Sequence, residues 1–204
     1  KFGSGKGANN MVFMTFGTGL GAGLILDGKL YTGTNDNAGE LGHIRLSEFG
    51  PVGYGKAGSF EGFCSGGGIS QIAQMLISEK TQQGNTISWC TPDELDTISA
   101  KKVAEEANKG DKLALQIFEM SATMLGRGLS VVIDIINPQV IVIGGIYTRC
   151  QHLMEDKMME MLTQETLTGS LKVCKIVPAL LGENIGDYAA LSVAADLLTH
   201  NEGK

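Results

Sequence analysis

Nineteen of this chain's 29 glycines fall within its first 70 residues. Ordinary usage is about 7% Gly, so the clustering marks a place and not a general bias. Glycine weakens the interiors of helices and strands, but it permits positive φ and close backbone approach. The first third of the chain is therefore expected to fold as short strands, tight turns and loops, with the long helices after it. No Gly-x-y period occurs, which excludes a collagen-like helix. No apolar run reaches the ~18 residues of a membrane span, so no membrane partner is expected. The apolar share is 43% and the charged share 19%, enough for a packed core. Sixteen basic against 22 acidic residues leave a net charge of −6. That balance argues against a surface built to attract nucleic-acid phosphates.

Along the chain, Met11 to Phe16 is a short apolar run of β formers. Leu24 to Tyr31 reads as a strand, an Asp27-Gly28 turn and a further strand. Residues 35–49 read as a loop leading into a third extended run, and residues 50–68 are Gly-rich again. Ile69–Lys80, Asp96–Asn108, Asp111–Ile136 and Gln151–Glu165 carry helical patterns; Asn137-Pro138 stops the third. Val140–Ile143 and Leu171–Val177 are predicted strands, and Asn184–Leu198 a last helix. The order predicts an α/β domain with an antiparallel three-stranded opening, then parallel strands with helices between them. Gly126 and Gly128 inside the long helix weaken its pattern, although small residues there also allow close packing against a neighbour. Met120, Met124, Met154, Met158, Met159 and Met161 read as core or interface filler. Cys64, Cys90, Cys150 and Cys174 form no Cys-x-x-Cys pair, so reduced thiols in a cytoplasmic protein are expected.

Three readings fit Gly17-Thr18-Gly19-Leu20-Gly21-Ala22-Gly23. A dinucleotide fingerprint requires a helix after the glycines; here a strand follows, so that reading fails. A plain hairpin of small residues stands, and so does a phosphate-binding turn of main-chain N–H groups with the Thr18 hydroxyl beside them. No Gly-Lys-Ser/Thr follows, so it is not a Walker A loop. Gly144-Gly145 ends a buried-type strand, where α/β sheets bind flat ligands such as nucleotides, or where a tight turn to a helix is needed. Glu40-x-x-His43, together with Glu61, combines carboxylates and an imidazole. Such a set suits vicinal hydroxyls, which both donate and accept. His152 and His200 lie far along the chain, and neither His-Glu-x-x-His nor Gly-x-Ser-x-Gly occurs, so zinc proteolysis and serine hydrolysis lack support.

These motifs together resemble the C-terminal lobe of the ROK family (repressors, open reading frames and sugar kinases). The resemblance rests on Gly17 to Gly23, Asp27-Gly28-Lys29-Leu30, Ala38-Gly39-Glu40-Leu41-Gly42-His43, Asn137 to Gly145 and Leu181-Gly182-Glu183. It implies an actin-like, ribonuclease H-like ATPase lobe over residues 1–204, the second lobe of a two-lobe sugar kinase. It also implies that Gly17, Thr18, Gly19, Gly21 and Gly23 hold ATP phosphates and that Gly144 and Gly145 border the adenosine. Glu40, His43 and Glu61 would bind a hexose. The implied reaction is phosphoryl transfer from ATP with Mg2+ to a sugar 6-OH, as in glucokinase-like members, in a homodimer. The rival within the family is the effector-binding lobe of a sugar-responsive repressor; a non-catalytic dimerisation lobe is a third reading. A basic helix-turn-helix upstream would mark the repressor, and an early Asp-Gly phosphate motif with an Asn-Asp pair the kinase.

Two departures from the family pattern shape the expectations. Its Cys-x-Cys-Gly-x-x-Gly-Cys-x-Glu segment here has Val52, Tyr54 and Ser59 at the cysteine positions and keeps Glu61. His43 alone cannot make a tetrahedral site, so no zinc is expected, and Tyr54 and Phe60 are expected to hold the loop. The family's catalytic base belongs to the first lobe. Asn35-Asp36 is not its equivalent, so no catalytic residue is assigned and this chain alone is expected to be inactive.

Overall fold

The computed structural model describes residues 3–180. The expected last helix, the Leu181-Gly182-Glu183 motif and His200 lie outside the described residues. The opening strands β1 (Met11–Phe16), β2 (Leu20–Leu26) and β3 (Lys29–Tyr31) are antiparallel neighbours. Asp27 and Gly28, at φ 51° and 75°, make the two-residue turn between β2 and β3. Both positive angles are what such a hairpin demands, and Asp-Gly supplies them cheaply. β1 then pairs in parallel with β6 (Val140–Gly145), and β6 in parallel with β7 (Lys175–Pro178). The sheet order is β3-β2-β1-β6-β7. The expected α/β lobe with an antiparallel opening and a parallel remainder is the fold observed.

A separate hairpin, β4 (Val52–Gly53) and β5 (Lys56–Ala57), leads into the short helix α1 (Phe60–Phe63) and then α2 (Gly66–Gln82). The third extended run expected before it is reduced to a single bridge between Arg45 and Ser59. The helix expected from Asp96 divides into a 3₁₀ turn, Pro92–Thr97, and α3 (Ala100–Asn108). Ser99 separates them because its side chain accepts from Lys102 N–H and starts a new helix. α4 (Lys112–Ile136) is bounded as its sequence implied: Asp111 caps it through Ala114 N–H, and Asn137 ends it at φ 49°.

α4 is the central helix of the core; α1, α2, α3 and α5 (Ile146–Glu165) all pack against it. Its glycines make that possible. A Cβ on Gly126 would stand 2.7 Å from the Met158 carbonyl, and one on Gly128 would enter the Phe60 ring. Met154, Met158 and Met161 of α5 are buried with α4's apolar face, whereas Met159 faces outward. The segment expected as a strand from Leu171 is instead α6 (Thr168–Val173), and the strand starts at Lys175. The Asp134 carboxylate accepts from Leu167 N–H and anchors that turn, a tertiary contact that overrides the local β propensity. All four cysteines are free. Among the described residues no helix is long and apolar enough to cross a membrane.

Candidate active site

The β1–β2 turn is the centre of the site. Phe16 pairs with Leu20, so Gly17, Thr18 and Gly19 alone reverse the chain, closed by Gly17 N–H donating to Gly19 O at 3.0 Å. A cleft opens on each side of this turn.

The first cleft has a volume of about 570 Å³ and is lined by Leu20, Asn37, Glu40, Gly42, His43, Tyr54 and Glu61. It brings together the three polar residues singled out from the sequence. Two glycines dock the Glu40–His43 segment onto the backbone of β2. A Cβ on Gly39 would strike Ala22 O, and one on Gly42 would strike Leu20 O. Ala22 N–H also donates to Gly39 O at 3.1 Å. With the segment pressed down this way, Glu40 and His43 flank the cleft. Glu61 comes from α1 and is fixed by Leu20 N–H, which donates to its Oε2 at 3.0 Å. Gly19 leaves room for that carboxylate: a Cβ there would lie 2.7 Å from Oε2. Glu61 thus keeps acceptor capacity free, since an ionised carboxylate takes several donors.

The β4–β5 hairpin forms the rim of this cleft. Main-chain and side-chain hydrogen bonds hold it. Gln71 makes a two-way pair with Val52, accepting from its N–H at 2.8 Å and donating to its carbonyl at 2.9 Å. Lys56 Nζ donates to His43 O, and Arg45 Nη1 to Ala57 O. Ser59 is fully buried; its hydroxyl donates to Gly53 O and accepts from Gly62 N–H, capping α1. Phe60 is fully buried and anchors the base of the loop. Tyr54 does not hold the loop as expected: it is 88% exposed, with its ring in a T-shaped pair with His43. Among the described residues no three His, Cys, Asp or Glu side chains are grouped to hold a metal ion.

The second cleft, about 790 Å³, lies across the turn. Gly17 and Thr18 line it with Gly66, Gly67 and Ser70 of α2, Ser99 to Lys101 of α3, and Ile146 and Arg149 of α5. Residues from the first turns of three helices therefore line one space, and each helix start contributes a partial positive charge. Lys101 and Arg149 add full charges, against Glu105 on the same wall. The sites are stitched together by Gly66 N–H donating to Gly17 O at 2.7 Å.

The structure redistributes the glycines named from the sequence. Gly17 and Thr18 line the second cleft, but Gly21 and Gly23 sit inside β2, opposite Thr15 and Phe13, and Gly19 faces Glu61. Gly145, at φ 74°, ends β6 beside the turn; a Cβ there would strike Phe16 O. It lets α5 begin at Ile146, five residues before the expected start. Gly144 packs near the Phe13 ring and Ala179. Gly66, Gly67, Lys101, Arg149 and Asn37 were not singled out from the sequence. The Gly66-Gly67-Gly68 run after Ser65 was the available signal for the first two. The other three carry none in the chain itself.

An antiparallel hairpin continued by parallel strands, with ligand-sized clefts beside the shared strand end, defines a lobe of the actin-like ATPase fold. The sequence pattern of the ROK family matches residues 1–199, and the chain belongs to that family. A glucokinase of Halalkalibacterium halodurans is 35% identical over 145 residues, covering 70% of this chain and 43% of that protein. The N-acetylglucosamine repressor of Escherichia coli O157:H7 is 30% identical over 154 residues, 75% of this chain and 36% of that one. The crystal structure of a ROK family glucokinase from Streptomyces griseus in complex with glucose and AMPPNP matches with a TM-score of 0.72 at 27% identity. It is covered over 59% of its length by 90% of this chain. The chain thus spans between 36% and 59% of the length of these relatives.

Proposed function

We propose that this chain is the sugar- and nucleotide-binding lobe of an ATP-dependent hexose kinase of the glucokinase type. The observation that carries the reading is the shared turn: Leu20 lines the first cleft and Gly17 and Thr18 the second. Phosphoryl transfer needs little covalent help; it needs donor and acceptor held close and in line, with phosphate charge neutralised. Two clefts divided by a single turn of backbone meet that requirement.

Glu40, His43 and Glu61 bind and orient the hexose hydroxyls. The phosphates lie against the main chain of Gly17, Thr18, Gly66 and Gly67, with Lys101 and Arg149 offsetting their charge. The residues present fit such a ligand. Gly66 and Gly67 present bare backbone to this cleft beside the Lys101 and Arg149 charges, and a Cβ on Gly66 would crowd Gly17 O and Ile146, each at 3.3 Å. When bound, ATP with Mg2+ supplies the phosphoryl group and the neutralising cation. Gly144 and Gly145 support the adenosine side only indirectly, through the placement of α5. The proton acceptor for the attacking hydroxyl is assigned to no residue of this chain.

The match to an N-acetylglucosamine repressor favours a second reading, in which the first cleft senses a sugar and the second is unused. Calorimetric titration with D-glucose and with AMPPNP separates the two. The kinase reading expects both to bind, with glucose lost in Glu61→Gln and AMPPNP weakened in Arg149→Ala. Sugar binding without nucleotide binding overturns it in favour of the sensor, and no binding of either overturns both.

A further inference from the structure

The tip of the β4–β5 hairpin carries a large side chain where folding gains least from it. Tyr54 is 88% exposed and sits at φ 45°. That region is costly for a bulky residue and natural for Gly or Asn. Its neighbour Gly55, at φ 75°, shows the type of residue such a turn selects. Yet the ring is not loose on the surface. It forms a T-shaped pair with the His43 imidazole, with centroids 6.0 Å apart and planes at 72°, and it lines the cleft that holds Glu40 and Glu61.

We propose that Tyr54 is the stacking platform for the hexose ring. The inference rests on the hexose reading of the first cleft and extends it to specificity. A pyranose carries its hydroxyls around the rim and its C–H bonds on the two faces. The rim suits Glu40, His43 and Glu61. A C–H face, poor in electrons, suits the negative face of a phenol ring. The T-shaped contact places that phenol beside His43, so a hydroxyl-binding residue and the platform are neighbours. The cleft then selects a closed six-membered ring with an uninterrupted C–H face over an open-chain polyol with the same number of hydroxyls.

The test titrates the chain with D-glucose and N-acetyl-D-glucosamine, following heat and the NMR signals of the sugar ring protons. In the wild type the protons of one ring face shift upfield on binding. Tyr54→Phe keeps both affinity and shift, because the platform needs the ring and not the hydroxyl. Tyr54→Ala loses the shift and binds about tenfold more weakly, the order expected of one aromatic contact. Tyr54→Gly weakens binding equally but does not lower Tm, since glycine relieves the positive φ. A merely structural tyrosine would show the reverse, with Tm falling and affinity intact. Glu61-dependent binding that is indifferent to Tyr54→Ala overturns the platform alone. A wild-type chain that binds neither sugar overturns the hexose reading and the platform with it.

Discussion

At the scale of single residues, Gly19 shows how a missing side chain can be part of a polar site. Its hydrogen leaves space for the Glu61 carboxylate, 2.7 Å from where a Cβ would stand. Gly19→Ala pushes on the far end of a flexible side chain, so the fold tolerates it. Glu61 loses its bond to Leu20 N–H and with it the aim of its free oxygen. We expect Tm to move little and hexose affinity to fall several-fold, read by melting and titration of the same variant. Glu106 offers a pH prediction. Lys109 and Lys102, both at 2.9 Å, hold its carboxyl below the usual glutamate range. A depressed folded pKa contributes stability that is complete above the ordinary glutamate value of ~4.3 and is lost as pH falls through the lower folded value. Glu106→Gln therefore flattens the acid side of the Tm-against-pH curve and leaves little change in slope near neutrality. Type and spacing grouped Glu40 with His43, and the two do line one cleft. Nothing in the sequence grouped Lys101 with Arg149, because cations on helices look like any solvated surface until the helix starts converge.

At the scale of elements, helix boundaries followed their caps. Asp111 and Asn137 bracket α4 in the sequence as they do in space. The departures occurred where a distant contact outweighed local preference, as in the Asp134-anchored turn of α6 and the glycine that launches α5 at Ile146. Gly126 left room for close packing in the sequence, and only the structure shows that α5 is the neighbour that uses it. Gly126→Ala gains about 1 kcal/mol of helix propensity but meets the Met158 carbonyl, which is backbone and cannot step aside. Overpacking of that kind costs ~1–3 kcal/mol, so the variant should unfold at lower urea than the wild type. Ser59→Ala removes the cap of α1 and leaves Gly53 O short of a donor. A cap is worth about 1 kcal/mol, and because α1 carries Glu61, both Tm and hexose affinity should drop.

At the scale of the whole molecule, the fold class was legible because the order of elements allows few sheets. A strand shared between an antiparallel hairpin and a parallel pair places the C-terminal ends of β1 and β6 side by side, where open α/β sheets bind ligands. The division into two clefts was not legible, since it depends on which side of the turn each glycine faces. Because no residue of this chain is assigned as the proton acceptor, the chain by itself is expected to bind hexose and AMPPNP but to release no sugar-dependent ADP in a coupled assay. Turnover from residues 1–204 would show that the proton acceptor lies within them.

The Gly17–Leu20 reversal is so thin that one side braces the other. Glu61 grips Leu20 from one flank, and the amide of Gly66 grips Gly17 from the opposite flank. Under the kinase reading this septum is the shared wall of both chambers, and whatever factor a hexose on one side contributes to nucleotide affinity on the other must be returned in full by the nucleotide.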